Sequence, residues 1–166
     1  MKILIIINTS KYPEHRNVGD IFKKAFEVKG YEVKQIDLGP IQKEYVKSGM
    51  IENEKPQLLV TFDMAGFEMR TLLEKATYNT MPYRMAHFLL KDYEAYKKEW
   101  LEDDMNFSMF FYASEQTGQA IKERHPDIEH VTVLETCSVE QWGKKPFLVE
   151  CQVNTVIGDT EIENDY

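Results

Sequence analysis

The first strong pattern in the chain is an unbroken one. Residues 3–7 read ILIII, continuously apolar and mostly β-branched, as expected of a strand covered on both faces. This segment, KILIIIN, is expected to be the innermost strand of the fold. A polar loop from Thr9 to Asn17 follows. VGDIFKKAFEVKG then sets Val18, Ile21, Phe22, Ala25, Phe26 and Val28 on one helical stripe that stops at Gly30. YEVKQIDL alternates imperfectly, with Tyr31, Val33, Gln35 and Asp37 on one side, which suits a strand near a sheet edge.

After Gly39-Pro40, IQKEYVKSGMIENEK reads as a polar helix broken around Ser48-Gly49. PQLLVTFDM is a third strand opened by Pro56, and a short helix is expected from about Phe67 to Ala76. MPYRMAHFLL reads as a fourth strand, with a helix running on to Asp92 as the competing reading. KDYEAYKKEWLEDDM is helical by composition, Tyr93, Tyr96 and Trp100 forming one face. NFSMFFYAS predicts a fifth strand, Glu115 to Arg124 a helix with Ser114 as N-cap and HPD behind it, and HVTVLE a sixth strand.

Strands alternating with helices at this spacing predict βαβ units, hence an α/β fold: a doubly wound, mainly parallel, three-layer Rossmann-like sheet. The pattern holds over residues 1–136. It loosens over 137–158, read as an extension with one more strand around Phe147 to Val149. Residues 159–166 carry Asp159, Glu161, Glu163 and Asp165 with no basic residue and read as an acidic tail.

Composition narrows the function classes. With 166 residues, 43% hydrophobic and 29% charged, the chain suits one self-sufficient domain. Twenty Lys and Arg against 28 Asp and Glu give a net charge of -8 with no basic cluster, so nucleic acid is not expected as a partner. No apolar run approaches the length of a membrane helix and no signal-peptide pattern follows the first strand, so a soluble, cytoplasmic protein is expected. Cys137 and Cys151 have no CxxC, HExxH or His/Cys cluster beside them. They could bridge, but in a cytoplasmic protein two reduced thiols are the favoured reading, and no metal or cofactor is expected.

In a parallel sheet, ligands bind beyond the carboxyl ends of the strands, where helix N-termini present unpaired N–H groups. Those ends carry Asn8, Thr9 and Ser10, then Asp63 and Gly66, then His87 within or after the fourth strand, then Ser114 and Glu115. Asp63 can accept a hydrogen bond from a sugar hydroxyl or cap the following helix, and Gly66 allows a close backbone approach or a positive φ. His87 can act as a base or sit as a structural histidine. Arg70 and Arg84 can clamp an anion or pair with the many carboxylates. His15, Arg16, Asn17 and Gly19 after the first strand form a possible anion site, without GxGxxG or GxxxxGK[ST]. YNTMPYRM, which contains Asn79 and Arg84, has the Tyr, Asn and Arg density of sugar-contacting surfaces or of ordinary packing.

FYASEQTGQAIKERHPDIEHVTVLE, together with the opening KILIIINTSKYPEHRNVGDIFKKAFEVKGYEV and PQLLVTFDMAG, resembles the N-terminal acceptor-side domain of GT-B fold glycosyltransferases over about residues 1 to 136. The resemblance implies a carbohydrate acceptor facing Asp63 and His87. The 30 residues after Thr136 leave no room for the nucleotide-sugar domain, so it also implies a partner glycosyltransferase subunit. Trp100, Trp142 and Phe147 are candidates for that contact. Two other readings stay open. One is a flavodoxin-like flavin protein, suggested by NTSKYPEHRN. The other is a non-catalytic Rossmann-like binding or regulatory module, as a homodimer, whereas a sugar-bearing partner belongs with the acceptor-domain resemblance.

Overall fold

The computed structural model describes residues 1–39, 44, 49–63, 65, 84–91, 108–112, 115–124, 126 and 131–133. The elements, in chain order, are β1 (Lys2–Ile7), α1 (His15–Val28), β2 (Glu32–Asp37), α2 (Met50–Glu54), β3 (Leu58–Phe62), β4 (Arg84–Leu89), β5 (Ser108–Tyr112), α3 (Glu115–Arg124) and β6 (Val131–Val133). All six strands run parallel in one sheet, in the order β2-β1-β3-β4-β5-β6. The α/β, doubly wound expectation is met. The fourth segment is a strand and not a helix, and β2 lies at the edge its imperfect alternation implied.

The position of β1 differs from expectation. It lies one strand in from the edge, between β2 and β3, and the centre of the sheet belongs to β3 and β4. An unbroken apolar run reports that both faces of a strand are covered. It does not report the strand's place in the order.

Both faces of β1 are indeed covered. Ile3, Ile5 and Ile7 join Val18, Phe22 and Phe26 of α1, along with Val60, Phe62 and Phe88, in one buried cluster. Leu4 and Ile6 point the other way, into a cluster with Ile36, Ile51 of α2, Leu59, Ala65 and Met85. The result is a three-layer arrangement with the sheet in the middle. On the α1 side, Phe22 meets Phe62 and Phe88 edge-on at centroid separations of 5.3 and 4.8 Å, within the range where aromatic quadrupoles attract.

α1 is seated by two glycines. At its end the Gly30 N–H donates to Glu27 O at 2.9 Å and the Tyr31 N–H to Phe26 O at 3.3 Å. This Schellman pair needs the φ of +89° that Gly30 supplies. In the second turn, a Cβ on Gly19 would come within 2.9 Å of Gln35 Oε1 and 3.1 Å of Ile7 Cγ2, so glycine lets the helix lie close to β1 and β2 without moving those side chains. The expected break at Ser48-Gly49 corresponds to Gly49 at φ +80°, just before α2. The expected helices around 67–76 and 92–105, and everything from residue 134 onward, lie outside the described residues.

Phe22 is fully buried and bridges helix and sheet. Phe22→Ala should therefore lower unfolding stability by about 3–5 kcal/mol. Urea denaturation followed by far-UV circular dichroism checks this: the midpoint should fall with the slope unchanged.

Candidate functional site

The chain leaves β1 for β2 on one side and later returns to β3 on the other. The carboxyl ends of β1 and β3 therefore border the crevice where the strand order reverses, the usual ligand position in open α/β sheets. A buried pair of polar side chains, Asp63 and His15, lies beside this crevice. Asp63, just past β3, adopts φ +50°, a left-handed conformation that aspartate tolerates better than most residues. Its N–H donates to Phe88 O at 2.9 Å, and its Oδ1 accepts the Leu90 N–H at 3.0 Å. Its Oδ2 lies 2.9 Å from Nε2 of His15. Both side chains are fully buried.

The other imidazole nitrogen, Nδ1, accepts the Asn8 N–H at 3.2 Å. Asn8 in turn organises the loop after β1. Its Oδ1 accepts the Lys11 N–H at 3.1 Å, and its carbonyl accepts the Tyr12 N–H at 2.9 Å. Tyr12 stacks on the His15 ring with centroids 4.6 Å apart. On the β2 side, Asp37 takes the Thr9 N–H at 3.0 Å on Oδ1, and the Thr9 hydroxyl donates to its Oδ2. Arg16 donates to the same Oδ2 at 3.1 Å. Above the loop, Lys91 Nζ lies 5.7 Å from the Tyr12 ring centroid and 2.7 Å from Glu14 Oε1.

The expected site residues therefore separate. Asp63, Thr9 and Ser10 all lie at the carboxyl edge, Asp63 bonded to His15 and Thr9 to Asp37, with Ser10 exposed. Asn17 is exposed in the first turn of α1, and Gly19 is buried against β1 and β2. His87 sits within β4 opposite Thr61. Its neighbours Ala86 and Phe88 belong to the α1-side core, so strand alternation turns His87 to the other face. Asp63 reaches toward α1 instead, and the two are not brought together. Arg84 opens β4, at the amino end of the strand, away from the edge that holds Asp63. Glu115 is exposed at the start of α3, beside a shallow surface cleft with Tyr112, Gln119 and Lys122. Gly66, Arg70, Asn79 and Ser114 lie outside the described residues, as do Trp100, Trp142 and Phe147.

The residue the sequence undervalued is His15. It was legible as part of a polar loop, but not as the partner of a carboxylate 48 positions away. Asp37 and Lys91 were likewise unremarkable in sequence. Among the described residues, no group of three or more His, Cys, Asp or Glu side chains is arranged to hold a metal ion, and no helix is long and apolar enough to cross a membrane.

No protein-family model and no curated protein matches the chain. Two chains among the solved structures match. One is the esterase domain from a Rhodothermus marinus protein, with a TM-score of 0.58 at 10% identity, covering 92% of this chain and 85% of that chain. At that identity the likeness is one of fold. It overturns the glycosyltransferase reading, together with the GT-B and acceptor-domain assignments built on it: the neighbour found is an esterase domain, and nothing in the comparisons points to sugar transfer. The physical reason is plain. Strand, loop and helix segments such as KILIIIN and FYASEQTGQAIKER recur wherever a parallel sheet alternates with helices, so they mark the architecture and not the chemistry.

The Glu14–Lys91 pair above the loop yields a pH prediction. Burial by itself would push the Glu14 carboxyl up. The hydrogen bond and charge of Lys91 outweigh it and hold Glu14 below the ordinary 4.5. Hydrogen bonding to Glu14 raises Lys91 above 10.5. A lowered acid contributes stability above its unfolded pKa and loses it as pH falls through the folded one. A raised base contributes below its unfolded pKa and loses it as pH rises through the folded one. The pair should therefore act in full between about 4.5 and 10.5. With side chains 35% and 38% exposed, its contribution is limited to about 1 kcal/mol or less. Glu14→Gln should cost that amount near neutrality, and denaturation at successively lower pH should show the difference from wild type shrinking as the pH falls below about 4.5.

Proposed function

We propose that this domain is a hydrolase that cleaves a small ester at the carboxyl edge of its sheet, with the Ser10 hydroxyl as nucleophile. One observation carries the reading. Of the aliphatic hydroxyls described at the carboxyl ends of β1 and β3, Thr9 is committed to Asp37 and Thr61 to Ile6 O, whereas Ser10 is exposed on a loop braced at Asn8, Thr9, Lys11 and Tyr12. A serine nucleophile needs such a mount, because its oxygen must meet the acyl carbon without reorganising the backbone. Among the described residues the Ser10 N–H makes no hydrogen bond, which leaves a backbone donor beside the hydroxyl for the developing oxyanion. The solved esterase domain of similar fold supports the reaction class, and the loop supplies the place.

The chemistry is acyl transfer. Ser10 Oγ adds to the ester carbonyl, the alcohol departs with a proton, and water then releases the acid from the acyl-serine. His15 is not the base that takes the Ser10 proton, since both of its ring nitrogens are already engaged.

The test joins hydrolysis of p-nitrophenyl acetate and butyrate to labelling with a fluorophosphonate probe and mapping of the labelled peptide. Ser10→Ala should lower kcat/KM by roughly 10³-fold or more and abolish the label. Labelling elsewhere, or undiminished hydrolysis by Ser10→Ala, would overturn the assignment.

A further inference from the structure

The buried imidazole has an unambiguous polarity. A backbone N–H can only donate, so the Asn8 N–H at 3.2 Å makes Nδ1 of His15 an acceptor. The neutral ring then carries its proton on Nε2, where it donates to Asp63 Oδ2 at 2.9 Å. Asp63 is held in turn by the part-buried Leu90 N–H, so swinging the carboxylate away would break that bond as well. Among the described residues, the charged and titratable groups facing the ring are Asp63 from the end of β3, Tyr12 stacked from the loop, and Glu14 with its partner Lys91 above. The Phe62 ring lies tilted beside it, with centroids 5.9 Å apart.

We infer that His15 is a positioning residue: the Asp63 carboxylate locks its Nε2–H tautomer so that Nδ1 holds the Asn8 N–H and, through Asn8, the Asn8–Tyr12 loop that bears Ser10. The inference rests on the ester-hydrolase reading only for the meaning of Ser10. The lock itself is a property of the described geometry. The chain of contacts is continuous. Asp63 orients His15, His15 anchors Asn8, and Asn8 takes the Lys11 and Tyr12 N–H groups on its side-chain and backbone oxygens. The Tyr12 carbonyl then accepts the His15 N–H at 3.0 Å, closing the loop onto the first turn of α1. Ser10 sits inside this ring of bonds and takes its placement from it.

Two substitutions divide the functions of the imidazole. In His15→Asn the amide oxygen falls near the place of Nδ1 and keeps an acceptor for the Asn8 N–H. In His15→Gln the amide nitrogen falls near the place of Nε2 and keeps a donor for Asp63 but gives Asn8 no acceptor. Amide hydrogen exchange should be measured for Asn8, Lys11 and Tyr12, each relative to the core amides of Ile5 and Val60. That ratio removes any difference in global stability. Exchange of Asn8 should accelerate roughly 10-fold to 100-fold in His15→Gln and much less in His15→Asn. If the ester-hydrolase reading also holds, kcat should follow Asn8 protection while KM stays near wild type. Equal acceleration in the two variants, or none in either, would mean that His15 only fills space and would overturn the inference.

A second measurement covers the case in which the variants fail to fold. The ¹⁵N spectrum of the wild-type imidazole should show a protonated Nε2 and an unprotonated Nδ1, and the reverse assignment would also overturn the inference. A split between the variants without ester hydrolysis by any form would support the lock while removing the ester-hydrolase reading, so the two failures are distinguishable.

Discussion

A carboxylate taken wholly out of water constrains the rest of this edge. Asp63 has no exposed surface, and a buried charge of this kind costs several kcal/mol unless donors surround it. The donors come from different parts of the chain: Nε2–H of His15 at the start of α1, and the N–H of Leu90 just past β4. The left-handed turn at φ +50° brings the carboxylate to the α1 side of the sheet, where both can be reached. Satisfying one side chain thus ties together the end of β3, the end of β4, the first turn of α1 and, through Asn8, the loop after β1. Removing any partner leaves another buried polar group unmet, which is why these segments should behave as one unit.

The apolar core makes that arrangement attainable. α1 must lie close enough for His15 to reach Asp63, and its seating follows from the Phe22, Phe62 and Phe88 contacts on one side of the sheet and the missing side chain at Gly19. Gly30 ends the helix and returns the chain directly into β2, where Asp37 meets Thr9. The loop carrying Ser10 is therefore braced from two sides, by Asn8 on His15 and by Thr9 on Asp37. Such bracing is what a nucleophile on a loop requires, since a loop without it would have to order itself during the reaction.

The dependence on long-range contacts also explains why a resemblance to sugar-transfer enzymes failed while the fold was read correctly. The quoted segments encode a parallel sheet with flanking helices, and that sheet serves many chemistries. What separates one chemistry from another is the set of groups at the strand ends. Here that set includes a buried histidine–aspartate contact beside the point where the strand order reverses.

Local pattern by itself determined much of this molecule. The ILIII run, the helical stripe ending at Gly30 except for Val28, which is exposed, the half-buried alternation of β2 and the helix from Glu115 to Arg124 were all legible, because each is set by neighbours within a few positions. Sequence also placed Asp63, Thr9 and Ser10 at strand ends. Only the tertiary structure decided that β1 lies beside the edge strand, that His87 turns to the opposite face from α1, that Arg84 stands at the far end of its strand, and that His15 is the partner of Asp63. Those facts depend on strand order, register and the depth at which α1 settles on the sheet. They are set by contacts between residues tens of positions apart, for which the periodicity of a single segment holds no record.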